Sequence, residues 1–174
     1  MHEFKNISKE KYTMKTMWAP WRIEYIQSEK EEGCIFCDAL SKKDDLTLFK
    51  GRLTMVVMNK FPYINGHLLA APKRHISSLD QLDKEEMGNL LMTVEQSVGI
   101  LKEVMKPDGF NIGLNLGKVA GAGVEDHLHF HIVPRWFGDT NAFTVFADVR
   151  VIPEHLKATC NNLKVHFDRL DPAT

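Results

Sequence analysis

Between residues 127 and 133 the chain reads His127, Leu128, His129, Phe130, His131, Ile132, Val133. Side chains alternate across an extended strand, so this order predicts three imidazoles on one face and Leu128, Phe130 and Ile132 on the other. The apolar face demands a packed layer behind it, which a plain surface strand does not have. A single metal ion does not suit all three rings. At about 3.3 Å per residue, His127 and His131 stand about 13 Å apart along the backbone, whereas zinc needs its ligand nitrogens at about 2.0–2.1 Å. The middle ring is therefore expected to face a substrate while its neighbours support it. An imidazole with an ordinary pKa of about 6.5 is substantially neutral at pH 7 and nucleophilic towards phosphorus. If one ring nitrogen of His129 donates to a carbonyl, the other lone pair is fixed for attack, and a covalent intermediate divides one hard displacement into two.

The rest of the composition narrows the class of substrate. The chain has 174 residues, 44% hydrophobic and 26% charged, which suits one globular domain with its own core. Its 22 Lys and Arg against 23 Asp and Glu give a net charge of −1, so no global basic field exists to hold a long nucleic acid. A nucleotide must be held locally. No run reaches the roughly 20 apolar residues of a membrane span, and residues 1–30 are too charged for a secretory core, so a cytoplasmic location is expected. Three cysteines, two of them in a Cys34-x-x-Cys37 pair, argue against a disulfide framework and leave metal binding or redox use open.

Along the chain, residues 1–16 read as a polar flexible arm, and residues 18–26, with Pro20 in the first turn, as a short aromatic helix. Leu46–Phe49 and Leu53–Met58 flank Lys50-Gly51 as a hairpin, residues 61–66 form a turn, and His67–Ala71 make the next strand. Asp83 with Glu86 fits a capping box ahead of a helical stripe of Met87, Leu90, Leu91, Val94, Val98, Leu101 and Met105, which Pro107, Asp108 and Gly109 stop. Phe110–Leu116 and His127–Val133 are strands separated by a glycine-bearing loop over 117–125, and Pro153 opens a last helix with Leu156, Cys160, Leu163, Phe167 and Leu170 on one side. Strands and helices mix without βαβ alternation, which predicts an α+β domain with a mainly antiparallel sheet packed against helices, spanning residues 17–174.

With its three histidines separated by single apolar residues and followed by two more, the chain resembles the histidine triad family. The likeness covers about residues 34–137 as the domain core, with a C-terminal helical extension beyond. It implies that His129 is the nucleophile and that His127 and His131 orient it and contact phosphates. It further implies nucleotide contacts from Asn59 and from Asn115, an Asn65-Gly66-His67 element beside them, and a phosphate-cradling loop containing Gly121 and Gly123. The stretches "WAPWRIEYI", "GFNIGLNLG" and "VPRWFGDTN" look like a bacterial branch that includes diadenosine polyphosphate phosphorylases. One departure concerns the loop Gly121-Ala122-Gly123, where relatives often carry a phosphate-reaching hydroxyl; here backbone N–H groups would have to serve.

The same resemblance turns the Cys pair towards zinc, with Cys34, Cys37, His75 and His127 as a structural shell, and implies a homodimer paired through the sheet edge and adjacent helix. No catalytic metal is called for. The expected reaction is cleavage of a dinucleoside polyphosphate at the α-phosphorus, with phosphate or water as acceptor. Its enzymatic rival is hydrolysis of a nucleoside phosphoramidate or nucleotide adduct; a rival of another class is a zinc-stabilised nucleotide sensor or partner protein. Lys73, Arg74 and Arg135 flank the proposed site as candidate counter-charges, Glu125 and Asp126 as candidate orienting carboxylates, and Trp136 as a packing residue. Cys160 reads as core, and His2, His155 and His166 as solvated.

Overall fold

The computed structural model describes residues 33–41, 45–120, 127–139 and 152–172. The expectations for the arm, the helix over 18–26 and the loop residues Gly121, Gly123, Glu125 and Asp126 lie outside these residues.

Among the described residues, five strands form one sheet in the order β1-β2-β3-β5-β4, every neighbouring pair antiparallel. They are β1 (Thr47–Lys50), β2 (Thr54–Met58), β3 (Leu68–Pro72), β4 (Gly109–Leu114) and β5 (Phe130–Arg135). The expected hairpin closes through the Gly51 N–H donating to the Thr54 carbonyl at 2.9 Å. Every residue of β2 and β3 is buried, so these central strands have covered faces on both sides. Alternation then sorts their side chains into two cores. Val56, Met58, Leu68, Ala70 and Ile132 join one core together with Leu90, Leu101, Cys160, Leu163 and Phe167, and Met55, Val57, Leu69 and Ala71 join the other with Phe36 and Ala39.

The helices explain that division. On the first side lie α2 (Lys84–Met105) and α3 (Leu156–Phe167); α1 (Ile35–Ser41) lies on the second. The Asp83 carboxylate accepts from the Glu86 N–H at 2.8 Å while Glu86 accepts from the Asp83 N–H at 3.0 Å, the reciprocal cap that the sequence predicts. At its other end α2 stops at Lys106, which adopts a left-handed backbone with φ 49° just before Pro107. The predicted stripe holds at Leu90, Val94 and Leu101, but Leu91 is half exposed, as is Met92 beside it. A helix with only one face against a sheet cannot bury a stripe as wide as the sequence offers. His155 is not merely solvated, because its ring accepts the Lys157 N–H at the start of α3.

One glycine positions the turn into β3. Gly66 has φ +77°, and a Cβ there would come within 2.6 Å of Met105 Sδ and 3.2 Å of Pro134 Cγ. Only a residue without a side chain lets this turn sit against both α2 and β5 while delivering His67 into the core. No described helix is long and apolar enough to cross a membrane.

Candidate active site and metal cluster

The histidine run lies against the α1 side of the sheet, but it does not enter as a strand throughout. β5 begins only at Phe130. Ahead of it the Leu128 N–H donates to the Ile76 carbonyl at 2.6 Å. The His127 carbonyl is occupied by the ring of His129, whose Nδ1 lies 2.7 Å away. The first two histidines thus belong to an extended lead-in, where backbone groups serve side chains as well as the ladder.

Hydrogen bonds fix the ring of each histidine. A carbonyl oxygen can only accept, so His129 Nδ1 carries the proton and its lone pair is on Nε2. His129 is 5% exposed, and burial holds its pKa below the ordinary histidine value, which favours the neutral, nucleophilic form. His127 has the opposite arrangement: its Nε2–H donates to the Pro72 carbonyl at 2.8 Å, leaving the Nδ1 lone pair directed at the cysteines.

His131 is fixed through a chain of donors that the sequence alone does not reveal. Asn59 accepts the Phe61 N–H on its Oδ1, so its Nδ2 is the group 3.2 Å from His67 Nδ1. The Tyr63 N–H also donates to His67 Nδ1, at 3.1 Å. His67 Nδ1 is therefore an acceptor, and the ring's proton on Nε2 is donated to His131 Nδ1 at 2.9 Å. His131 must then carry its own proton on Nε2, which is buried and has no hydrogen-bond partner among the described residues. Burial, with the His129 ring nearby, depresses the His131 pKa to about 4, so at neutral pH this is an uncharged N–H donor. A buried donor left unpaired costs about 1–3 kcal/mol, a cost that an arriving acceptor would relieve.

Of the expected nucleotide contacts, His67 is fully buried and reaches His131. Asn59 is engaged with His67 and Phe61. Asn115 is half-buried just past β4. Asn65 is buried and bonded to Thr159 of α3, its Oδ1 accepting that hydroxyl at 2.9 Å, which ties the turn to the last helix. Arg74 pairs with Glu86 at 2.9 and 2.7 Å, and Arg135 bonds Asp139 and Asn111, so two of the three supposed counter-charges are already partnered. Trp136 lines a cleft of about 370 Å³ with Ile64, Asn65 and Met105.

The ligand atoms of Cys34, Cys37, His75 and His127 all lie within 4.8 Å of one another. Cys34 Sγ is 3.1 Å from His127 Nδ1, and Cys37 Sγ is 3.3 Å from His75 Nδ1 and 3.8 Å from His127 Nδ1. A tetrahedral zinc with bonds of about 2.0–2.3 Å places sulfur and nitrogen ligands about 3.5 Å apart, the spacing found here. The donor set fits a structural zinc, and the Pro72 carbonyl supplies the outer hydrogen bond that turns a histidine lone pair towards a metal. Cys34 immediately precedes α1 and Cys37 lies in its first turn, so the Cys pair sits at a helix start.

A family model described as the HIT domain matches residues 41–138. The chain belongs to the HIT domain family. A protein named AP-4-A phosphorylase from Mycobacterium tuberculosis is 34% identical over 167 residues, covering 90% of this chain and 86% of the relative. Adenosine 5'-monophosphoramidase hnt1 of Schizosaccharomyces pombe is 28% identical over 129 residues, 72% of this chain and 92% of the relative. Among solved structures, a Zn-bound histidine triad family protein from Mycobacterium smegmatis matches with a TM-score of 0.65 and 26% identity, covering 81% of this chain and 97% of that one. The HIT fold of this chain is thereby established, with its antiparallel sheet as expected.

Proposed function

We propose that this HIT protein is a nucleotidyl-transferring enzyme that cleaves dinucleoside polyphosphates at the α-phosphorus, with inorganic phosphate or water as acceptor. His129 Nε2 attacks that phosphorus, forming an N–P bond as the bond to the bridging oxygen of the leaving polyphosphate breaks. The acceptor oxygen then attacks the same phosphorus, releasing the imidazole. The single observation that carries the reading is the set of opposed tautomers: a lone pair on His129 Nε2 and, on the adjacent His131 ring 4.9 Å away, an N–H with no partner among the described residues. One group is built to attack and the other to hold an oxygen bearing developing charge, an arrangement that dominates phosphoryl-type catalysis.

Zinc held by Cys34, Cys37, His75 and His127 would have a filled shell and supply rigidity. The Zn-bound mycobacterial relative supports that occupant. A second copy of the chain is the proposed partner: β4 is one of the two outer strands of the described sheet, with Ile112 about half exposed, and edge strands invite pairing.

Incubation of the purified protein with diadenosine tetraphosphate, with and without phosphate, tests the assignment. ADP plus ATP formed only with phosphate indicates phosphorolysis; AMP plus ATP without it indicates hydrolysis. His129→Ala is expected to abolish both turnover and a trapped nucleotidyl-enzyme. Absence of any cleavage by the wild type would overturn the proposal. The similarity to a monophosphoramidase favours adenosine phosphoramidate as the second substrate to assay, because it needs the same first step.

A further inference from the structure

Phe36 is fully buried, with no exposed surface, and sits on α1 between the two cysteines of the metal cluster. Its ring lies 4.8 Å from the His127 ring and 5.1 Å from the His129 ring, tilted about equally to both at 40° and 39°. The His131 ring also lies against His129, edge-on with centroids 4.9 Å apart. The attacking imidazole is therefore held by three contacts: Phe36 on one side, His131 on another, and the hydrogen bond from Nδ1 to the His127 carbonyl. Rotation about the Cβ–Cγ bond of His129, which would carry Nε2 away from its line of attack, must push Phe36 aside. Phe36 in turn cannot move without α1, and α1 is fixed at Cys34 and Cys37 by the cluster with His75 and His127 and by Ala39 packed against Met55, Val57, Leu69 and Ala71.

Resting on the assignment of His129 as nucleophile, we infer that Phe36 is a positioning residue: its ring transmits the order of the Cys34–Cys37–His75–His127 cluster to the His129 imidazole and keeps Nε2 aimed. The cluster and the nucleophile are then one mechanical unit joined at two points, the His127 backbone and the Phe36 ring. Cys34, Cys37, His75 and His127 would hold a zinc whose contribution would be rigidity, passed on through α1 and through His127.

The test uses the full chain loaded with zinc and reads His129 directly by long-range proton–nitrogen NMR of the histidine rings. The wild type is expected to show a single His129 tautomer protonated on Nδ1. Phe36→Ala should yield mixed or exchange-broadened His129 signals and slow formation of the nucleotidyl-enzyme at saturating substrate, by on the order of 10–100-fold, the scale of a small misplacement of a reacting group. Phe36→Leu, which keeps an apolar wall, should restore both readouts to within a few-fold, and Phe36→Val serves as the disrupting variant should the alanine variant fail to fold. Met55→Ala, at another fully buried position in the same core, should lower thermal stability while leaving the His129 tautomer intact. Chelation should move the His129 signals of the wild type in the direction of Phe36→Ala and add little in that variant. Unchanged His129 signals in Phe36→Ala, or in Phe36→Val where the alanine variant does not fold, or an equal change in Met55→Ala, would overturn the inference. A tautomer shift in a protein that cleaves no dinucleotide would leave the clamp standing and count against the reaction alone.

Discussion

His127 and His131 flank the same residue, and their rings face in chemically opposite senses. His127 gives its proton to a backbone carbonyl and turns a lone pair towards two thiols and a second imidazole. His131 accepts a hydrogen bond from His67 on one nitrogen and keeps on the other an N–H with no partner among the described residues. One end of the run thus offers a lone pair and the other an N–H, although the residue type is identical. The difference comes entirely from the partner on the far nitrogen: Pro72, an acceptor, at one end, and His67, made a donor by the Tyr63 N–H and Asn59, at the other. A histidine has no fixed role until its second hydrogen bond is assigned.

The most severe way to break this contrast is to delete the N–H end. His131→Ala is expected to lower the rate of nucleotidyl transfer by about 10²–10³-fold, the usual consequence of losing one donor to developing charge. Zinc stoichiometry should be unaffected, since the His131 ring meets Tyr63, His67 and His129 and, among the described residues, none of the four cluster residues. If metal analysis showed zinc lost together with activity, the two ends would not be independent.

Deleting the lone-pair end should do the reverse. Cys37→Ser is expected to lose stoichiometric zinc and lower the unfolding midpoint, because a metal that binds only the folded chain stabilises it by about 4 kcal/mol at a concentration a thousandfold above its dissociation constant. The transfer rate should fall by about tenfold through a less ordered His129. Calorimetry with and without chelator checks it: the chelator should depress the wild-type midpoint and leave that of the variant unmoved.

A finer cut leaves both ends in place and removes only the instruction. His67→Phe keeps bulk in the core but frees His131 to place its proton on either nitrogen. About half the molecules then lack the outward donor, while those that keep it are less well held, and a loss of roughly tenfold in transfer rate is expected with zinc retained. An unaltered rate would mean that His67 does not select the His131 tautomer.

How much of this was legible beforehand follows from the range of the interactions. The capping box at Asp83 and Glu86 is local, three residues apart, and the sequence shows it completely. The alternation over 127–133 identifies the run but overextends the strand by three residues, because the Leu128 N–H goes to Ile76 and the His127 carbonyl goes to His129; alternation cannot see that backbone groups leave the ladder. Leu91 fits the helical period yet is half exposed, since the pattern gives a face but not what covers it. The tautomer chain joins Asn59, Tyr63 and His67 to a residue 64 positions away, and the tie between Asn65 and Thr159 spans 94. Pairs at such separations leave no periodic trace. Arg74 and Arg135 read equally well as phosphate ligands or as ion-pair partners until the carboxylates opposite them are known.

Arg74 allows the smallest and most selective perturbation of the lone-pair end, because it precedes His75 directly. Its guanidinium binds Glu86 and the Gln81 carbonyl, fastening the segment that carries His75 to the start of α2. The hydrogen bonds from Arg74 hold the Glu86 carboxyl at a pKa of about 2, well below the ordinary 4.5, with the Asp83 N–H adding to the effect. A carboxyl depressed in the folded state contributes stability that is fully present above its unfolded pKa and disappears as the pH falls through its folded pKa. The contribution is therefore whole at pH 7, declines below about pH 4.5 and is gone near pH 2. Glu86→Gln should lower the unfolding midpoint slightly at pH 7, and the gap from wild type should close as the titration proceeds into acid. Zinc should also be released somewhat faster to a chelator, while the His131-dependent rate at saturating substrate stays put. A midpoint gap that persists unchanged below pH 3 would show that Glu86 acts through packing and not through its charge, and unaltered zinc release would show that the Arg74 clasp does not reach His75.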